Sequence, residues 1–227
     1  MILTKTKPET RGFTLVELLV VISIIAALAA LSFTVVTRMM AKSRTVTSVN
    51  NLKQLYIGAE SFAGDHHGIF PATYWGDPDD NQAGKQIWWQ ALSPYVYNRE
   101  DPRKLDGTFR DKADPRVRAI SDGEERWGKW KEVSYMPWVN GTVGNTNPVQ
   151  GISVTRTKQI GGQPYLSTAL NTGSMGVWNE AQYNRFVVPS AEWRDNTIVV
   201  LYCDGAVQVI KNPTFEKVAP AMVPEDD

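Results

Sequence analysis

Arg11-Gly12-Phe13-Thr14-Leu15-Val16-Glu17 places one acidic side chain inside an apolar run that begins directly after a glycine. From Phe13 to Val36 the chain has no Lys, Arg, Asp, Pro or Gly. At about 1.5 Å per residue a helix over these positions spans roughly 36 Å, enough to cross a hydrocarbon core of about 30 Å. The run predicts a transmembrane helix over residues 13–36. A lone carboxylate in such a helix costs about 2.5–3.5 kcal/mol at mid-membrane and less toward the interface. Glu17 is therefore the first candidate functional residue, set against the plainer alternative of an interfacial acid tolerated in an ordinary anchor.

Downstream the helical signal persists but changes character. Val46, Val49, Leu52, Tyr56, Ala59 and Ala63 recur at three and four residues, with Lys42, Arg44, Lys53 and Glu60 off that stripe, the pattern of an amphipathic helix. No proline occurs from Phe13 to Phe70, and the first glycine in that stretch is Gly58. A single helix over residues 13–64, about 75 Å long, is expected. Its first half suits lipid or a filament core, and its second half is expected to lie by its stripe on a sheet. Upstream, the leader 1–12 holds Lys5, Lys7 and Arg11 against Glu9, which by the positive-inside rule keeps the amino terminus cytoplasmic and sends the remainder across. A Sec signal peptide competes, since Ala27-Leu28-Ala29 has small residues suited to cleavage. Against it, Glu17 falls in what would be the apolar core of that signal, and the apolar run continues through Leu31, Phe33 and Val36.

Gly12, then Phe13-Thr14-Leu15-Val16-Glu17, then an unbroken apolar helix resembles the prepilin signal of type IV pilins and type II secretion pseudopilins. The resemblance implies cleavage between Gly12 and Phe13 by a prepilin peptidase, N-methylation of Phe13, and pairing of Glu17 with the amino terminus of a neighbouring subunit. Cleavage there creates an α-amine, with a reference pKa of about 7.7–8.0, in a stretch where Glu17 is the available counter-charge. The resemblance further implies a pilin-like α+β fold, with the long helix packed on a small antiparallel sheet. It also implies a single-pass inner-membrane subunit with an extracytoplasmic head at residues 65–227. Such a subunit is handed by an inner-membrane assembly platform to other pilin or pseudopilin subunits in a filament, without enzymatic activity. Looser similarities connect Asn50–Leu55, Asp65–Pro71, Trp88–Tyr95, Ser134–Gly141 and Cys203–Val207 to pseudopilin-like proteins of planctomycete and verrucomicrobial bacteria. Those proteins usually carry histidine where this chain has Ala206, so a role for that imidazole does not transfer.

Charge and cysteine content narrow the classes. The 24 basic and 24 acidic residues, less Lys5, Lys7, Arg11 and Glu9, leave 21 against 23, a net charge of −2. That balance excludes a nucleic-acid partner of the ordinary electrostatic kind. Cys203 is the sole cysteine, which rules out an intramolecular disulfide framework, and on a core strand it reads as a small hydrophobe. About 165 residues beyond the helix suit one head domain. Within it, residues 99–132 carry 10 basic and 9 acidic side chains with Pro102, Gly107, Pro115 and Gly123 breaking any period, as expected of a solvated insertion. Residues 139–176 are rich in Gly, Asn, Thr and Ser, with a short candidate strand near Ile152 to Thr157. Thr197–Cys203, Asp204-Gly205 and Ala206–Ile210 predict a hairpin with a two-residue type I′ turn, its first strand interior to the sheet. The tail after Pro213 is expected to be loose.

Candidate chemistry is sparse. His66 and His67, beside Asp65, form one adjacent pair and do not supply the convergent ligands of a zinc site. Asp77, Asp79 and Asn81 sit at alternate positions like the start of a Ca²⁺ loop, but Gln82 replaces the glycine and Trp88 stands where the bidentate glutamate belongs. No other cofactor is expected. Gly173-Ser174-Met175-Gly176 lacks the spacing of a nucleophile elbow, and no third histidine exists to act as a base. Trp75, Trp88, Trp89, Trp127, Trp130 and Trp138 can stack on sugars or pack a core. The sequence thus predicts a pseudopilus or type IV pilus-like subunit. Its alternative is a membrane-anchored surface protein whose Trp-rich head binds polysaccharide or a protein partner.

Overall fold

The computed structural model describes residues 13–71, 74–75, 86–97, 107–111, 113–114, 133–138, 152–153, 162–169, 177 and 179–220. The chain divides into two compact units, residues 1–42 and 43–227. Helix α1 runs from Leu15 to Asp65, 51 residues, as the absence of proline allows. It ends one residue beyond Gly64 through its backbone geometry. His67 adopts φ 55° and Gly68 φ 72°, and the Gly68 N–H donates to the Ala63 carbonyl at 2.8 Å. This is a Schellman-type stop with histidine in the left-handed position that glycine usually takes.

In the second unit a four-stranded antiparallel sheet has the order β4 (Tyr135–Pro137), β6 (Pro164–Thr168), β7 (Thr197–Tyr202), β8 (Val207–Lys211). Two small antiparallel pairs accompany it: β1 (Ile69–Phe70) with β5 (Ile152–Ser153), and β2 (Tyr74–Trp75) with β3 (Gln86–Ile87). Strand β7 is interior, as its run of apolar residues requires, and alternation splits it between two cores. Val199 and Leu201 join Leu52, Leu55, Ala59 and Phe62 of α1, together with Trp88, Trp89 and Leu92 of α2 (Trp88–Tyr97). Gly58 permits that helix pairing, because a Cβ there would lie 2.6 Å from Val96 Cγ2. Ile198, Val200 and Tyr202 face the opposite core, with Trp138, Tyr183, Phe186 and Val187. This second cover comes from α3 (Glu180–Gln182), a π turn Tyr183–Val187, α4 (Val188–Ala191) and a 3-10 turn Glu192–Arg194.

Four expectations are corrected. The β7–β8 turn is not type I′, which needs positive φ at two central residues. Among its residues only Gly205 has positive φ, at 87°. Tyr202 N–H donates to Ala206 O at 2.8 Å and Gly205 N–H to Tyr202 O at 3.0 Å, giving a three-residue loop with a glycine bulge. The Asp204 carboxylate braces it by accepting from Ala206 N–H at 2.9 Å. The stripe on α1 is displaced: Val46 is 51% exposed, whereas Leu55 and Phe62, absent from the expected set, are buried. The tail is docked as far as Ala219, because α5 (Phe215–Val218) buries Phe215 and Val218 in the second core and Ala219 follows them there. Thr214 caps that helix, its hydroxyl accepting from Lys217 N–H.

The fourth correction concerns the supposedly solvated insertion. Thr108, Phe109, Asp111, Ala113 and Asp114 are buried. Asp111 accepts from Ser48 Oγ of α1 at 2.6 Å and from Ala113 N–H at 2.7 Å, and it pairs with the Arg194 guanidinium. Asn51, one turn further along α1, donates to the carbonyls of Gly107 at 2.9 Å and Arg110 at 3.1 Å. Ser48 and Asn51 thus extend the buried face of α1 with polar residues whose groups are satisfied, as burial demands. Composition averaged over 34 residues hid this, since a paired buried aspartate and a solvated one look alike in sequence.

Candidate functional site

The first turn of α1 is held by its own side chains. Four N–H groups at a helix start have no partner within the helix, and in an apolar medium each such group is costly. Thr14 Oγ1 accepts from the Glu17 N–H at 3.3 Å, while Glu17 Oε2 accepts from the Thr14 N–H at 2.9 Å and the Thr14 hydroxyl at 2.7 Å. The Leu18 N–H then reaches the Thr14 carbonyl at 3.3 Å. This is a reciprocal capping box, and it also sets a negative charge at the positive end of the helix dipole. Thr14 was not singled out from the sequence as a partner of Glu17. Its signal is Thr-x-x-Glu at 14–17, the spacing of a capping box.

Beyond that turn the helix is apolar and exposed. Leu15, Leu18, Leu19, Ile22, Ile25, Leu28, Leu31 and Phe33 are all exposed. The hydroxyls of Ser23 and Ser32 donate to the carbonyls of Leu19 and Leu28, each at 2.8 Å, so both find partners within their own helix. By length and composition α1 can cross a membrane. An apolar, all-round exposed segment with internally satisfied polar groups is suited to lipid or to neighbouring helices and not to water.

Residues 9–33 match the family described as the prokaryotic N-terminal methylation motif. The match is confined to the amino-terminal segment. The chain is also similar to a type IV major pilin protein, PilA, of Myxococcus xanthus (strain DK1622), at 39% identity over 62 residues. That similarity covers 27% of this chain and 28% of the relative, so the pilin-like match spans only about a quarter of each protein. No solved structure matches the chain. Motif and apolar helix together fit anchoring in a membrane or residence in a filament. The long amino-terminal helix with a small antiparallel sheet gives the α+β architecture expected of a pilin-like fold.

The other candidate residues separate clearly. Gly12, on the amino-terminal side of the expected cleavage, lies outside the described residues, as do Asp77, Asp79 and Asn81 of the Ca²⁺ candidate. Phe13 precedes the helix and is exposed. His66 stacks on Phe62 with ring centroids 3.8 Å apart, and its Nδ1 is hydrogen-bonded to the Phe62 carbonyl at 2.8 Å, so it helps close α1. Among the described residues no group of three or more His, Cys, Asp or Glu side chains is placed to hold a metal ion. Trp88, Trp89 and Trp138 are buried. Trp88 lies 5.8 Å from Phe109, and Trp138 is stacked 6.1 Å from Phe215, so these three indoles serve packing and are not open to a sugar. Cys203 is buried against the α1 side of the sheet.

Proposed function

We propose that this chain is the precursor of a structural subunit of a pilin-like filament, matured by a prepilin peptidase that cuts between Gly12 and Phe13 and methylates the Phe13 amine. The single observation that carries this proposal is the methylation-motif match over residues 9–33, ending in a helix whose apolar side chains are exposed all round. Similarity to a major pilin over 62 residues supports reading the filament as a type IV pilus, with a secretion pseudopilus as the alternative. The subunit waits in the inner membrane with residues 1–12 on the cytoplasmic side and its head outside. An assembly platform then moves it into a bundle formed by the apolar segments of many copies. No enzymatic step belongs to the subunit itself.

Glu17 has two tasks in this scheme. Within one subunit its carboxylate closes the first turn through Thr14. Between subunits it neutralises the Phe13 amine of a neighbour, and an axial mismatch leaves both charges buried without a partner, which is strongly unfavourable. The test is Glu17→Gln in a strain that assembles the filament. The variant should remain in the membrane fraction, since neither length nor apolarity changes, and should be lost from sheared filaments. Incorporation at the wild-type level would show that the carboxylate does not set register.

A further inference from the structure

We infer that Arg38 and Lys42 form a docking site for anionic phospholipid headgroups at the carboxyl-terminal end of the apolar span. The inference rests on the proposed membrane residence and adds the chemical class of lipid that the subunit selects. From Glu17 to Arg38 the helix rises about 32 Å, close to the hydrocarbon thickness of a bilayer of about 30 Å. With Glu17 at one interface, Arg38 is the first charged side chain at the other. Lys42 follows four residues later, on the same face and about 6 Å further along the axis. Both side chains are exposed.

Along α1 itself these cations have no neighbouring counter-charge. Between Glu17 and Glu60 there is no Asp or Glu at all, so the i−4 and i+4 carboxylates that usually neutralise helical Arg and Lys are missing. Met39 and Met40, 67% and 52% exposed, flank Arg38 with flexible apolar side chains suited to the acyl boundary, and long basic side chains extend their charge to the headgroup level. The guanidinium of Arg38 presents a planar fork of donors that matches a phosphodiester in two bonds, with the Lys42 ammonium as a second, compact charge. A zwitterionic headgroup carries its own cation and gains less from this pair than an anionic one does.

Full-length protein reconstituted in phosphatidylcholine vesicles, probed with trace spin-labelled phosphatidylglycerol or spin-labelled phosphatidylcholine, tests the inference by the relative association of the two labels with the protein. The expected preference for phosphatidylglycerol is about fivefold at low salt, falling toward unity in molar salt. Arg38→Gln/Lys42→Gln, which removes both charges and keeps residues of good helix propensity, should abolish the preference while the protein still floats with the vesicles. Equal association of both labels with the wild type overturns the inference, and a preference that survives the double substitution overturns its assignment to these residues. Protein that fails to float with vesicles contradicts membrane residence itself, and the headgroup site falls with it.

Discussion

Asp111→Ala removes a buried polar contact that three groups of the head share. The Asp111 side chain is 0% exposed and that of Arg194 3%, so both charges are out of water. The carboxylate holds Arg194, Ser48 Oγ and Ala113 N–H together. Without it the guanidinium keeps only the Ser190 carbonyl, at 3.4 Å, among its described partners. Breaking one side of a buried ion pair costs about 3–5 kcal/mol, a large part of the roughly 5–15 kcal/mol that stabilises a typical domain. For a domain of this size each kcal/mol lowers Tm by about 2–4 °C, so the expected drop is about 6–20 °C. Circular dichroism melts of residues 43–227 at neutral pH measure it. Asp111→Ala/Arg194→Met should recover much of the loss, because a shape-matched apolar replacement removes the unpaired charge. A drop under about 2 °C for the single variant, or a double variant no better than the single one, would show that the Asp111–Arg194 pair does not hold the head together.

Other perturbations separate the faces of the head. Leu52→Asp places a carboxylate on a fully buried position beneath the sheet and should unfold the domain or cost it several kcal/mol, whereas Lys53→Glu, one residue on and exposed, should stay within about 0.5 kcal/mol. Equal melts for the two would detach the α1 stripe from the sheet. Alkaline pH should also destabilise the head. Burial raises the ionisation of Tyr135 and Tyr165 far above the usual tyrosine range, and the Asp111 charge adds to it at Tyr135. The unfolded chain releases these protons from about pH 10 while the folded chain retains them, so stability is whole below pH 10 and falls as pH rises above it. Tyrosinate absorbance of which a part appears only with loss of the fold checks this, and ionisation of all tyrosines in the native state would contradict it.

The parts of the molecule that depend on local periodicity were legible in the sequence. The long helix follows from the absence of Pro throughout and of Gly before Gly58, and the interior strand from the unbroken apolar run Ile198–Leu201, which the structure divides between two cores. Tertiary partners were not legible. Ser48 and Asn51 look like solvent-facing residues until Asp111 and the carbonyls of Gly107 and Arg110 arrive from 56 to 63 positions away. The second cover of the sheet, from Tyr183 to Ala191, includes a π turn, which disturbs the 3.6-residue period by which a helix is recognised. The hairpin turn misled because Asp-Gly fits two turn types. The aspartate bond to Ala206 N–H and the approach of Gly205 to the Tyr56 ring, 2.7 Å from where a Cβ would stand, go with the three-residue form. At the candidate site the glutamate was evident from its setting, and its threonine partner from a four-residue pattern that went unused.

We propose maturation at the Gly12–Phe13 junction into a subunit whose amine meets Glu17 of a neighbouring subunit. The most direct measurement is the intact mass, with amino-terminal sequencing, of the full-length chain recovered from cells that contain a prepilin peptidase and compared with cells that lack it. Loss of residues 1–12 and a singly methylated amine on Phe13 are expected only where the peptidase is present. A chain that still begins at Met1 in both, or one that begins at Ala30, would contradict this maturation.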